Sequence, residues 1–164
     1  GDAGNFVGHE MKGGSIYIKG DAGSHVGIWM EGGNINIKGN ARDYVGREMK
    51  DGSINIEGNV GDYVGHGMKG GSINIKRNAG NEVGGEMKNG SIIVEGNVGD
   101  YVGDEMNGGS INIKGNAGDY VGHSSEGGEI RIDGDYKSIG ENCKAKIYHK
   151  GSLLNVDFES YTKN

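Results

Sequence analysis

Apolar and polar positions alternate along this chain in short bursts, and the bursts return on a fixed beat. Ile16, Ile35, Ile54, Ile73, Ile92, Ile111 and Ile130 fall 19 residues apart, and two positions later runs a second apolar column, Ile18, Ile37, Ile56, Ile75, Val94, Ile113 and Ile132. Polar residues such as Asn36, Asn55, Asn74 and Asn112 stand between them. Alternation of period two predicts a short β-strand with isoleucine turned inward and asparagine outward. Val7, Val26, Val45, Val64, Val83, Val102 and Val121 form a third column, and Met11, Met30, Met49, Met68, Met87 and Met106 a fourth. Ala or Val recurs at 3, 22, 41, 60, 79, 98 and 117. The Val column is followed each time by glycine, at 8, 27, 46, 65, 84, 103 and 122. A repeat of this length marks a solenoid, whose units stack on their neighbours and do not fold alone.

Five apolar positions per 19 pointing one way describe one rung of a β-helix. The pairs Gly13-Gly14, Gly32-Gly33, Gly70-Gly71 and Gly108-Gly109, with Asp51-Gly52 and Asn89-Gly90 in the same place, precede the strand and predict a corner where φ turns positive. Asn or Asp at 2, 21, 40, 59, 78, 97, 116 and 135 predicts a ladder of stacked amides along another corner. The expected fold is all-β, a parallel β-helix of about seven rungs over residues 1–133, roughly 33 Å long at the usual strand spacing. Residues 134–164, which contain the apolar run Leu153, Leu154, Val156 and Phe158, are expected to form an irregular last rung and a C-terminal cap that closes the open end of the stack. The chain begins on the beat of a repeat, so something upstream of Gly1, or a partner, is expected to cover the first rung.

Composition narrows the function classes. Glycine accounts for 36 of 164 residues and proline for none, but the glycines hold fixed places within a 19-residue unit, which fits neither collagen nor a disordered linker. The net charge of −6 argues against a nucleic-acid surface, which needs a basic stripe. No apolar run approaches the ~18 residues of a membrane span. The single Cys143 excludes an intrachain disulfide.

The candidate chemistry is thin. His9, His66 and His123 share a column but lie three rungs apart, about 14 Å between neighbours, too far to ligate one ion. The Gly-x-x-Gly units lack the GK[ST] of a phosphate loop and the nonapeptide period of a calcium roll. The methionines suit core filling better than metal binding. No catalytic, cofactor-binding or metal site is expected. Tyr44, Tyr63, Tyr101 and Tyr120, with Phe6, form an aromatic column that is either packed into a corner or exposed as a stripe; His25 and Glu82, which interrupt it, suit a partly exposed position. Arg42 and Arg77 each replace a column glycine, and Trp29 stands in a column of Glu10, Glu48, Glu86 and Glu105. These three are either drift on a repeat surface or partner contacts, since Arg and Trp are enriched in interface hot spots.

The repeat GNAGDYVG at 115–122, with M-x-G-G-x-I-x-I at 68–75 and 106–113, resembles the Gly-x-x-Gly-x-x-x-Gly β-helix domain. That domain is shared by the C-terminal region of glutamate synthase large subunits and by the C subunit of formylmethanofuran dehydrogenase. The ending AKIYHKGSLL at 145–154 and the dense GDYVG copies are more similar to the second. The resemblance implies a right-handed β-helix acting as a non-catalytic scaffold in a cytoplasmic complex that reduces CO2 and captures the formyl group on methanofuran. It implies that the molybdenum or tungsten pterin, the iron–sulfur clusters and a metallo-hydrolase centre of this oxidoreductase belong to other subunits, and that none of them is bound here. The alternative it leaves open is a separately encoded scaffold domain of a glutamate synthase.

Overall fold

The computed structural model describes residues 1–155; Val156 and Phe158 of the expected cap lie outside the described residues. Among the described residues nine strands form one sheet in sequence order: β1 Ser15–Ile18, β2 Asn34–Ile37, β3 Ser53–Ile56, β4 Ser72–Ile75, β5 Ser91–Val94, β6 Ser110–Ile113, β7 Glu129–Ile132, β8 Lys146–His149 and β9 Ser152–Leu153. β1 to β8 pair in parallel, and the register puts like on like: Ile35 opposite Ile54, Asn36 opposite Asn55, Ile37 opposite Ile56. The expected all-β solenoid of 19-residue turns is the observed fold, and the alternation faces as predicted, with isoleucine buried and asparagine half-buried. No helix among the described residues is long and apolar enough to cross a membrane.

The rest of each turn contains no strand, yet its backbone bonds to both neighbouring turns. The N–H of Tyr44 donates to Asp62 O in the turn after it at 2.9 Å, Gly46 to Val26 O in the turn before at 2.8 Å, Glu48 to His66 O after at 2.8 Å, and Lys50 to Met30 O before at 2.8 Å. The backbone achieves this by visiting the left-handed region at alternate residues, with φ of 61° at Tyr44, 68° at Gly46 and 51° at Glu48. Main-chain groups outside the strands are thereby paired between successive turns along the rod. The glycine corners expected before each strand have positive φ, as at Gly52 and Gly90.

The core is one continuous column of the five predicted apolar positions, and Met30, Met49, Met68, Met87 and Met106 have no exposed surface. The glycine of the beat is required twice over. Gly46 has positive φ, and a Cβ there would press on Ile73 Cδ1 across the core.

Residues 134–149 supply an eighth turn shortened by two residues: Ile147 pairs with Ile130. Ser125 occupies the methionine column of the seventh turn and is fully buried. Its hydroxyl accepts the N–H groups of Lys144 (3.2 Å) and Ala145 (3.1 Å) and lies 3.5 Å from Cys143 Sγ, so it ties down the shortened turn. β9 then folds back antiparallel on β8, and Leu154 packs on the core.

Candidate functional site

With the interior filled by apolar side chains, the distinctive groups stand in columns on the outside. The aromatic column is a true stack. Phe6 and His25 lie 4.8 Å apart, His25 and Tyr44 5.0 Å, and Tyr44 and Tyr63 4.7 Å with 5° between planes. Tyr101 and Tyr120 stack at 4.8 Å. The turn repeat sets the spacing, and each of these residues has φ near 60°, which throws the side chain off the corner into line with its neighbours. Of the two alternatives, the column is a partly exposed stripe: Phe6 (53%) and Tyr120 (45%) are exposed and the three tyrosines between them half-buried.

Beside this stack, Trp29 is 42% exposed and lies 5.3 Å from His9. It forms the aromatic wall of a surface groove of about 420 Å³ whose other lining is Glu10, Lys12, Glu31, Glu48, Lys50 and Lys69. Lys50 at 2.7 Å, and then Lys12, hold the Glu31 carboxyl below its ordinary value. Burial works to raise Glu48, but Lys69 and the Trp29 indole more than offset it. Arg47 lies 5.7 Å above the Tyr44 ring. Trp29, Tyr44, Arg47 and Tyr63 thus share one face, while Tyr101 and Tyr120 continue it beyond a break.

The break is Glu82, which stands in the aromatic column between Tyr63 and Tyr101. Burial, and then Asp104, push its carboxyl up. Glu82 in turn pushes the Tyr63 phenol up. Nearby, His123 Nδ1 lies 2.7 Å from Asp104 Oδ1, and His66 Nε2 lies 3.7 Å from Glu86 Oε1. The three column histidines therefore have separate surroundings, and among the described residues no group of three His, Cys, Asp or Glu could hold a metal ion. Cys143 is buried, and burial pushes its thiol up, away from the nucleophilic thiolate.

Arg42 and Arg77 lie apart from that face, each on a ladder of Asn and Asp. The expected corner ladder exists, with amide bonds from Asn40 to Asp21 (3.2 Å) and from Asn59 to Asn40 (3.5 Å), but its regular bonds run from side chain to main chain: Asp21 Oδ1 accepts the N–H of Asn40 at 2.7 Å, Asn40 Oδ1 that of Asn59 at 2.8 Å, and the series reaches Asp135. A second ladder, unforeseen from the sequence, runs from Asp43 through Asp62, Asn81 and Asp100 to Asp119. These side-chain oxygens explain the glycine columns. A Cβ on Gly61 would press on Asp43 Oδ1. Arg42 is accommodated because the turn before it carries the shorter Ser24 in place of an Asn or Asp. Beside Arg77, Asn59 Oδ1 to Asn78 N is 3.1 Å, the longest of that ladder's bonds to main-chain N–H. The signal for Arg42 was in the sequence, as a coincidence of two column exceptions 18 residues apart.

No curated protein matches the chain. Residues 6–156 match the family described as the GXGXG motif, which is that of the glutamate synthase C-terminal domain. The match takes in most of the first turn, all the later ones and both ladders described above, and the chain belongs to the GXGXG motif family.

Proposed function

We propose that this protein is a non-catalytic scaffold, similar to the C subunit, of a formylmethanofuran dehydrogenase complex that reduces CO2 to formylmethanofuran. The observation that carries the reading is the division of labour within each turn. The inward columns are apolar and packed, with Ser125 the one buried polar side chain among the described residues, and the aromatic and charged groups project outward in register along the rod. Such a molecule offers long, fixed faces on which other subunits dock, and the chemistry belongs to what docks. The ending AKIYHKGSLL favours this complex over its relatives. In this reading the pterin metal, the iron–sulfur clusters and the metallo-hydrolase centre sit in partner subunits in the cytoplasm. Trp29, Tyr44 and Tyr63 form the principal contact face, Tyr101 and Tyr120 extend it, and Arg42 and Arg77 contact partners along the corners.

The family match favours a second reading, the β-helix scaffold of a separately encoded glutamate synthase. One experiment separates the two. The tagged protein is recovered from native anaerobic extract and its companions are identified by mass spectrometry. A pterin-metal subunit together with an amidohydrolase-like subunit supports the first reading. Flavin and iron–sulfur synthase components support the second, and recovery of the protein alone overturns both. Trp29→Ala combined with Tyr44→Ala should abolish recovery of companions while leaving the far-ultraviolet circular dichroism unchanged.

A further inference from the structure

Two Asn-Gly and two Asp-Gly pairs occur among the described residues, and the fold treats the members of each pair differently. In Asn89-Gly90 the Gly90 N–H donates to Asn89 Oδ1 at 2.8 Å, and to no main-chain acceptor among the described residues. In Asp51-Gly52, in the same corner of an earlier turn, Gly52 N–H donates to Asp51 Oδ1 at 2.7 Å in the same way. The other two are held by the stack. Gly108 N–H, after Asn107, donates to Met87 O at 3.1 Å, and the Asn107 amide donates to Glu105 O at 2.9 Å. Gly134 N–H, after Asp133, donates to Gly115 O at 3.1 Å.

We propose that Asn89 is a site of spontaneous deamidation to aspartate and isoaspartate, and Asp51 of isomerisation to isoaspartate, while Asn107 and Asp133 are protected. The chemistry needs only water. Gly90 N gives its proton to solvent base and attacks Asn89 Cγ; the new C–N bond closes a succinimide as the bond from Cγ to the amide nitrogen Nδ2 breaks and ammonia leaves. Water then opens the ring at either carbonyl. At Asp51 the same closure expels water and the opening takes one back, so the mass does not change. Three features favour attack at Asn89. Its side chain is exposed, the nucleophilic nitrogen is released from the main-chain network, and the contact with Oδ1 puts Cγ one bond beyond the atom that Gly90 N already touches. Glycine keeps the approach open, since a Cβ at 90 would press on Gly71 O at 2.8 Å. The aspartate product has a precedent at Asp51, in the same corner. The isoaspartate product does not: it lengthens the backbone by one bond between the stack contacts of Asn89 N with Met68 O (3.3 Å) and Ser91 N with Gly71 O (3.0 Å).

The test incubates the folded full-length protein in mildly alkaline buffer and follows the peptides that contain Asn89 and Asn107 by mass spectrometry. Isoaspartyl methyltransferase labelling reports Asp51 and Asp133. Asn89 should deamidate at least about five-fold faster than Asn107, the factor expected for releasing one main-chain hydrogen bond. In denaturant the two rates should converge, because both are Asn-Gly. Equal rates in the folded protein, or a faster Asn107, overturn the proposal. A preference for Asn89 that persists unchanged in denaturant also overturns it, because the cause would then lie in local sequence.

Discussion

Glu105 holds a left-handed backbone, φ 52°, on the outside of the rod, in the column where Glu10, Glu48 and Glu86 do the same. That conformation costs an L-residue about 1–2 kcal/mol. The column contains its own remedy in Gly67, at φ 65°. Glu105 has no side-chain bond among the described residues, so Glu105→Gly should relieve the strain and lose little else. Glycine's greater freedom in the unfolded state takes back about 0.4–1 kcal/mol. The net gain should be roughly 0.5 kcal/mol in denaturant unfolding; a loss of stability would show that the glutamate column is not strained. The sequence carried this signal only faintly. Two glycine columns announced their positive φ, whereas the aromatic and glutamate columns adopt it with side chains that ordinarily avoid it. Only the lone Gly67 among glutamates hinted that this place tolerates glycine as readily as a charge.

Among the side-chain ladders, Glu82 is the element that makes a testable difference. Its carboxyl is held above the ordinary value of 4.5, first by burial and then by Asp104, so the folded protein binds this proton more tightly than the unfolded state does. Its contribution to stability is therefore present below the ordinary value and is lost as pH rises through the elevated one. Glu31 and Asp135 shift the other way, each chiefly through a lysine bond, so the wild-type profile alone is not diagnostic. A comparison with Glu82→Gln is diagnostic: the variant's Tm should gain on the wild type as pH rises through that window and hold a constant lead above it. A lead that stays flat from acid to neutral pH would contradict the burial assigned to Glu82. The ladders themselves were half legible. Recurrence of Asn and Asp every 19 residues predicted that like would stack on like. It did not reveal that the corner oxygens accept main-chain N–H groups, because that depends on how far the corner brings each side chain over the next peptide. Nor did it distinguish Asn36, Asn55 and Asn74, which do bond amide to amide, at 3.1 and 2.9 Å.

Across the whole molecule, the turn period disclosed the architecture because the only way to bury five recurring apolar positions is to stack them. The eighth turn was harder to see, since it is two residues short and needs a buried serine to complete it. Stability in such a stack is a sum over turns and their nearest-neighbour junctions, so one weak junction lets the turns on its two sides unfold separately. Trp29, the single tryptophan, sits in the second turn, so its fluorescence should report unfolding at a denaturant concentration different from that of far-ultraviolet circular dichroism, which averages over every turn. Coincident transitions would instead mean that the rod melts as one unit. The fifth turn bears on that choice. Glu82 interrupts the aromatic stack there, Ile93 the asparagine ladder and Arg77 the glycine column, all within residues 77–95. Core packing, main-chain bonds and both corner ladders run through it unbroken, while the aromatic stack and the strand asparagine ladder do not. The molecule therefore has a seam: a junction without the ring stacking and amide bonds of its neighbours, dividing a nearly uniform array into two blocks, free to differ in stiffness and in the order in which they form.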